Sequence, residues 1–303
     1  MNSPVEKLIL IDGSGLIYRG FYAIPPFFKA PDGTQTNAVF GFASILISLL
    51  SAQKPDYIAV ALDKKGPTFR HKEFKEYKAT RVKAPQELYD QIPLVQEVIN
   101  TFGIPLFEAE GFEADDILAT IAKRLSGDKN IQTFIATGDF DIFQVVGPNV
   151  SILYPAKGFK EAEVWTTKDV IKKYNLTPEQ IPDYKGLAGD SSDNIPGVRG
   201  IGDKGATELL LKYKNLENIY EHLGEIGGAM HKKLEEGRDS AFMSKRLATL
   251  DSATPIDFDL SACRMKDLDI SSVQNLFGKL GFKSLQKRLA DAFSTHYEQE
   301  VLF

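Results

Sequence analysis

The chain has 303 residues, 36 Lys and Arg against 41 Asp and Glu, and a net charge of −5 with an isoelectric point near 5.5. That length carries one large domain or two small ones and buries a sizeable core, and 43% apolar with 25% charged residues excludes wholesale disorder. The single cysteine, Cys263, excludes an intrachain disulfide and a multi-thiolate metal site, and no apolar run approaches the roughly 18 residues of a membrane span. The N-terminus lacks the charged start, long apolar stretch and small-residue cleavage site of a signal peptide. Taken alone, the acidic balance argues against a nucleic-acid partner.

In chain order, Leu8–Asp12 (LILID) reads as a buried strand followed by a turn, and 37–52 as an apolar helix. Tyr57–Asp63 (YIAVALD) is a second strand. Residues 86–102 form an amphipathic helix that Pro93 kinks or divides, and 104–107 a short strand. A helix with acids in its first turn covers 113–125, and Ile131–Thr137 (IQTFIAT) is another strand. Beyond a β-rich piece at 151–154 the patterns turn helical, at 166–174, 177–188, 206–213, 240–250 and 271–293. Strands alternating with helices predict an α/β fold with a mostly parallel central sheet covered on both faces, followed by a helical region. Core and helical region are expected at about 1–180 and 181–295, with 296–303 set aside as an extraneous tail lacking any core pattern.

Ligands of such sheets sit outside the carboxyl ends of the strands, and three predicted strands deliver an acid there: Asp12, Asp63 and Asp139. Further acids cluster as Glu113, Asp115 and Asp116 at a helix start, as Asp141 beside Asp139, and as Asp190 and Asp193 in a Gly- and Ser-rich loop. Singly, each reads equally well as a cap or turn residue. Together they would repel one another unless cations held them, and an oxygen-only set suits Mg²⁺ or Mn²⁺ rather than zinc. Two such ions roughly 4 Å apart can activate a water and support the leaving oxygen of a phosphodiester.

Other chemistries lose support on inspection. The sixth residues from Asp139 and Asp190 are Gln144 and Ile195, where a calcium loop needs Gly. Tyr18 stands where a dinucleotide fingerprint needs its third glycine, no phosphate loop of the Gly-Lys-Ser/Thr type occurs, and no serine has an evident histidine partner.

Base is concentrated in one segment. Residues 64–83 carry a net +6, leaving −11 for the remainder. Phe74, Tyr77, Lys78 and Arg81 would share one face of a helix there, with cations for phosphates and aromatic faces for bases; a plain solvated helix with core aromatics is the alternative. Farther on, Gly197, Gly200, Gly202 and Lys204 form a glycine hairpin running into a helix, the helix–hairpin–helix pattern of sequence-independent duplex contact.

The segments LILIDGS, YKATR, GFEADD, TGDFD and DYKGLAGDSSDNIPGVRGIGDKGA resemble the 5′-nuclease domain of bacterial DNA polymerase I, in the flap endonuclease family, over about residues 8–212. The resemblance implies divalent-metal cleavage, by two Mg²⁺ or Mn²⁺ ions, of DNA carrying a 5′ flap or 5′ end at a single-strand/duplex junction. It implies a metal site of Asp12, Asp63, Glu113, Asp115, Asp116, Asp139 and Asp141, completed by Asp190 and Asp193. It makes Lys78 and Arg81 the basic pair of a helical arch at about 64–90, and Arg19 and Arg70 further basic positions near the scissile phosphate. Tyr22 and Tyr77 are added as DNA contacts, and a potassium ion is implied at the hairpin, itself placed at about 186–212. It also implies a bacterial cytoplasmic protein, a monomer without membrane contact, and a polymerase domain in a longer chain. Phe140, Arg199, Gly205 and Tyr22 depart from the usual Lys, Pro, Thr and His, but no acid is lost. A flap-binding module that no longer cuts and a PIN-like ribonuclease are the alternatives. Setting aside the nine site acids leaves 32 acids against 36 bases, so the acidic balance is no evidence against nucleic acid.

Overall fold

A computed structural model describes residues 4–155 and 159–293; the expected tail at 296–303 lies outside them. Its centre is a six-stranded sheet of β1 (Glu6–Asp12), β2 (Tyr57–Ala61), β3 (Leu106–Phe107), β4 (Ile131–Ala136), β5 (Val150–Tyr154) and β6 (Glu163–Trp165). The spatial order is β3-β2-β1-β4-β5-β6, parallel throughout except for β6 at one edge. Strand β1 shows why the run LILI must be wholly apolar. Ile9 and Ile11 face one core and Leu8 and Leu10 the other, because successive side chains point to opposite faces and both faces are covered.

One face is packed by α1 (Gly13–Ala23), α2 (Asn37–Gln53), and, beyond short α3 (Phe69–Glu73) and α4 (Gln86–Tyr89), by α5 (Ile92–Thr101). The other carries α6 (Ala114–Leu125). After β6 come α7 (Thr167–Tyr174), α8 (Ile181–Ala188), α9 (Asp203–Tyr213), α10 (Leu216–Glu221), α11 (Gly228–Glu236) and α12 (Arg238–Ala248). Helices α8 to α12 enclose a separate core around Leu187, Leu210, Ile219 and Leu234. The chain then returns, and α13 (Ile270–Lys279) and α14 (Lys283–Phe293) pack on the α2 side of the sheet.

Several elements differ from the sequence expectation, each for a local reason. Helix α1 begins where only a turn was expected, because the Asp12 side chain caps it by accepting from Gly15 N at 2.8 Å. The 86–102 pattern is divided into α4 and α5, with Pro93 in the first turn of α5, where its missing N–H is harmless. The 271–293 pattern breaks at Gly281, whose φ of +73° suits glycine.

The basic segment departs most. It is no continuous helix: α3 ends at Glu73, Phe74 is extended, and the chain passes through turns in which Lys78 has a left-handed φ of +56°. The shared helical face of Phe74, Tyr77, Lys78 and Arg81 therefore does not exist. The segment is instead strapped to its surroundings by hydrogen bonds onto main-chain carbonyls. Lys78 N donates to Asp193 O at 2.9 Å, Asn194 Nδ2 to Glu76 O at 2.7 Å and Arg81 Nε to Ser192 O at 3.1 Å. A small core of Tyr77, Ile195, Leu247 and Ala248 lies beneath it.

Candidate active site

The carboxyl edge of the parallel strands collects the acids. Asp12 ends β1; its carboxylate accepts from Gly15 N at 2.8 Å and from the Thr137 hydroxyl at 2.7 Å. A Cβ on residue 15 would stand 2.3 Å from Asp12 Oδ2, so only glycine leaves the carboxylate room. Asp63 follows β2, held by its own N–H on Ser14 Oγ at 2.8 Å and by Ala114 N on its carboxylate at 2.7 Å. Asp139 follows β4, its N–H on Thr137 Oγ1 at 3.0 Å and its carboxylate accepting from Asp141 N at 2.9 Å. Thr137 thus positions two acids from neighbouring strands.

Helix α6 brings the next cluster. Glu113 is its N-cap, 7% exposed, and receives Lys78 Nζ at 2.9 Å, the Tyr77 hydroxyl at 3.1 Å and Arg70 Nη1 at 3.3 Å. Asp115 faces the cavity, its carboxylate accepting Asp116 N at 2.7 Å. Asp193, 4% exposed, accepts from the Tyr77 hydroxyl at 2.9 Å and pairs with Arg81, while Lys78 stands 3.8 Å away.

Two cavities meet over these acids. One, of about 720 Å³, is walled by Asp12, Asp63, Glu113, Asp115 and Asp139 on one side and by Lys78 and Arg81 on the other. The second, of about 560 Å³, shares Asp12 and Asp139 and adds Asp141, Asp190, Lys185 and Arg19. Arg19 Nη2 is anchored on Pro155 O at 2.9 Å.

The electrostatics are uneven. Burial, with the negative charges of Asp63 and Asp139 adding to it, pushes the Asp12 carboxyl up to about 6. Burial and the neighbouring charges of Glu113 and Asp116 push Asp115 well above the carboxylate range. Burial raises Asp141 to about 6 as well, against the pull of Lys185. For Asp190, burial is outweighed by Lys185 and the Ser192 donors, which hold it down at about 2. Lys78 is raised, because Glu113 and Asp193 outweigh the cost of its burial.

Four expected site residues occupy different roles. Asp116 does not face the cavity. It is wholly buried, accepts both Arg70 terminal nitrogens at 2.8 Å, and takes Glu113 N at 3.0 Å and Asp251 N at 2.8 Å. Arg70, 1% exposed, spends its remaining donors on Leu247 O and Thr249 O, so no donor is left for a phosphate. Tyr77 is 3% exposed and cannot stack on a base; its ring packs inside and its hydroxyl orders Glu113 and Asp193. Gly197 is buried, with N–H and carbonyl taken by Ser244 and Ser240. Its φ of +62°, and a Cβ that would lie 2.3 Å from Gly189 N, explain the glycine. Tyr22, 66% exposed, and Gly200, Gly202 and Lys204 do lie at the surface.

Sequence reasoning missed Lys185, Thr137 and Ser14. Lys185 lies five residues before Asp190, and Gly189 (φ +78°) turns the chain back at the end of α8 so that the two side chains meet at 2.5 Å. A glycine just past a helix end, between a basic and an acidic residue, was the available signal. Thr137 and Ser14 carried none, since a hydroxyl beside a strand end is ordinary.

The donor set fits hard divalent cations. Among the described residues Asp12, Asp63, Asp115 and Asp139 have no Lys or Arg ion-pair partner, although they crowd one cavity. No three of the described His, Cys, Asp or Glu side chains are already gathered at metal-holding geometry. The remaining acids pair with Lys78, Arg81 and Lys185.

The architecture is that of a resolvase-like α/β domain followed by a SAM-like helical domain. Two family models match accordingly: the 5′-3′ exonuclease N-terminal resolvase-like domain over residues 7–175 and the 5′-3′ exonuclease C-terminal SAM fold over residues 176–271. The chain belongs to the 5′-3′ exonuclease family. It is 42% identical over 287 residues to DNA polymerase I of Bacillus subtilis, covering 94% of this chain and 32% of that protein. It is 40% identical over 285 residues to DNA polymerase I of Caldicellulosiruptor bescii, covering 93% and 33%. The chain thus spans about a third of the length of the curated relatives it matches. Among solved structures, T5 5′-exonuclease with bound divalent zinc superposes with a TM-score of 0.67 at 22% identity, covering 95% of this chain and 98% of that one. The catalytic core of Rad2 in complex with DNA substrate gives 0.63 at 20% identity, covering 96% and 93%. Both show the fold.

Proposed function

We propose that this chain is a divalent-metal-dependent, structure-specific 5′ nuclease that hydrolyses phosphodiesters of DNA at 5′ flaps or 5′ ends. The observation that carries it is the cavity walled by Asp12, Asp63, Asp115 and Asp139, none ion-paired among the described residues, on one side and by Lys78 and Arg81 on the other. Asp12, Asp63, Glu113, Asp115 and Asp139 would hold one cation, and Asp141, Asp190 and Asp193 would serve a second. When bound, such ions lower the pKa of a water and neutralise charge on the phosphate. The chain's own residues do the remainder. Thr137 and the Ala114 amide bond to the Asp12 and Asp63 carboxylates, while Ser14 and Thr137 hold the Asp63 and Asp139 main chain. Lys78 and Arg81, which pair with Glu113 and Asp193, would stabilise the phosphate under attack if those acids held cations instead. The exposed Gly200, Gly202 and Lys204, at the start of α9, suit a duplex backbone.

The reading assigns Asp116 and Arg70 to the scaffold. A potassium ion among the hairpin carbonyls stays part of the reading; the Gly200 carbonyl here accepts the exposed Lys233 Nζ at 2.7 Å. Residues 1–180 supply most of the chemistry, and 181–295 the duplex grip together with Asp190 and Asp193, in a monomer; a polymerase domain as partner in a longer chain is proposed from the relatives' greater length. The named relatives, being bacterial polymerases, support a cytoplasmic setting, and no described helix is long and apolar enough to cross a membrane.

The deciding assay is a labelled 5′-flap duplex with Mg²⁺ or Mn²⁺, or with chelator. Cleavage near the junction that chelator abolishes is expected. Binding without any product would instead make the chain a flap-binding module, and preference for a matched RNA would make it a ribonuclease.

A further inference from the structure

The cations of the site are not equivalent. Arg81 and Lys78 have side chains 49% and 22% exposed, whereas Lys185 is 12% exposed and lies between two acids from different elements. Asp141 opens the turn after β4, and Asp190 lies in the loop after α8; Lys185, from α8, bonds to both, at 2.5 Å to Asp190. Across the shared cavity wall, Asp12 and Asp139 have no such partner among the described residues. A single lysine therefore neutralises both carboxylates on this side, whereas on the other side Glu113 alone has cation partners, Lys78 and Arg70, among the described residues.

We propose that Lys185 is a built-in counter-ion that occupies the oxygens of the second metal position, making the two positions unequal and loading of the second cation a competition with its ammonium. The inference rests on reading these acids as metal holders. A divalent ion and an ammonium that claim the same oxygens of Asp141 and Asp190 are linked: each weakens the other by the same factor. The lysine stem is flexible and borders an open cavity of about 560 Å³, so the ammonium can leave without any backbone movement. Among the described residues Asp12, Asp63, Asp115 and Asp139 carry no paired cation, so at the first position only Glu113, paired with Lys78 and Arg70, offers oxygens already engaged. Lys185 is in this sense a positioning residue that acts through the two carboxylates.

Titrating Mn²⁺ into the metal-free chain without DNA, with free Mn²⁺ followed by electron paramagnetic resonance, tests this. The wild type is expected to show one tight site and one about ten-fold or more weaker, a span ordinary for coupled sites. Lys185→Met should bring the two to within about three-fold, and Lys185→Arg should restore the inequality. An unchanged or weakened second site in Lys185→Met overturns the proposal alone. No Mn²⁺ binding by either protein overturns it together with the metal reading. Should Lys185→Met fail to fold, amine acylation of the wild type decides: modification of Lys185, read by mass spectrometry, should rise several-fold at saturating Mn²⁺. Labelling that does not respond to Mn²⁺ overturns the proposal.

Discussion

At the scale of the residue, the pair Arg70 and Asp116 shows how chemistry and scaffold divide acids that look alike. Both are fully enclosed and joined by two 2.8 Å bonds. Removing one partner leaves a buried charge uncompensated, so Arg70→Met is expected to cost about 3–5 kcal/mol in urea unfolding. Lys78 is the opposite case. It lies in a left-handed conformation, a small store of backbone strain of the kind found at functional sites, and its amine reaches into the cavity. Lys78→Ala should slow single-turnover cleavage by about 10²-fold, the size of effect seen when a charge-stabilising donor is lost, with a smaller change in duplex affinity. A normal rate for Lys78→Ala would remove that residue from the chemistry.

At the scale of the element, boundaries follow caps more closely than apolar periodicity. Glu113, Thr166 and Asp269 each accept backbone donors at a helix start. Asp269 also makes a pH prediction. Hydrogen bonds from Ser272 and Ser271 lower its carboxyl to about 2, below its unfolded value. Its contribution to stability is then complete above about pH 4 and lost as pH falls through about 2. The difference in melting temperature between wild type and Asp269→Ala should be constant near neutrality and close at strong acidity. The elements legible in the sequence were those with strong patterns: the strands LILID and YIAVA, the long α2 and the acid-capped α6. The arch segment was misread because its spacing mimics a helix. Its conformation is set by hydrogen bonds to residues 192–194, more than 110 positions away.

At the scale of the whole molecule, the helical region does more than follow the sheet. Helix α12 supplies the carbonyl of Leu247 to Arg70, and Leu247 itself to the core beneath Tyr77. Arg246 pairs with Glu73 at 2.5 and 2.7 Å. The basic segment, the loop carrying Asp190 and Asp193, and α12 are therefore tied together by direct contacts. Leu247→Ala is expected to cost about 2–5 kcal/mol and, because it loosens the floor under Tyr77 and Lys78, to slow cleavage as well. Destabilisation with an unchanged cleavage rate at low temperature would show that the floor and the catalytic pair are independent.

The sequence by itself determined the sheet, the edge on which the acids gather, and the family, because strand periodicity and short acid motifs are local properties of the chain. It could not divide the acids by role. Asp115 and Asp116 are adjacent in sequence, yet one faces the cavity and the other a buried arginine 46 residues away. Only the tertiary structure decided that, and decided that Tyr77 and Arg70 are interior and Lys185 is in the site. Burial and charge compensation are set by residues far apart in the chain, and these settle which carboxylates remain open to a cation.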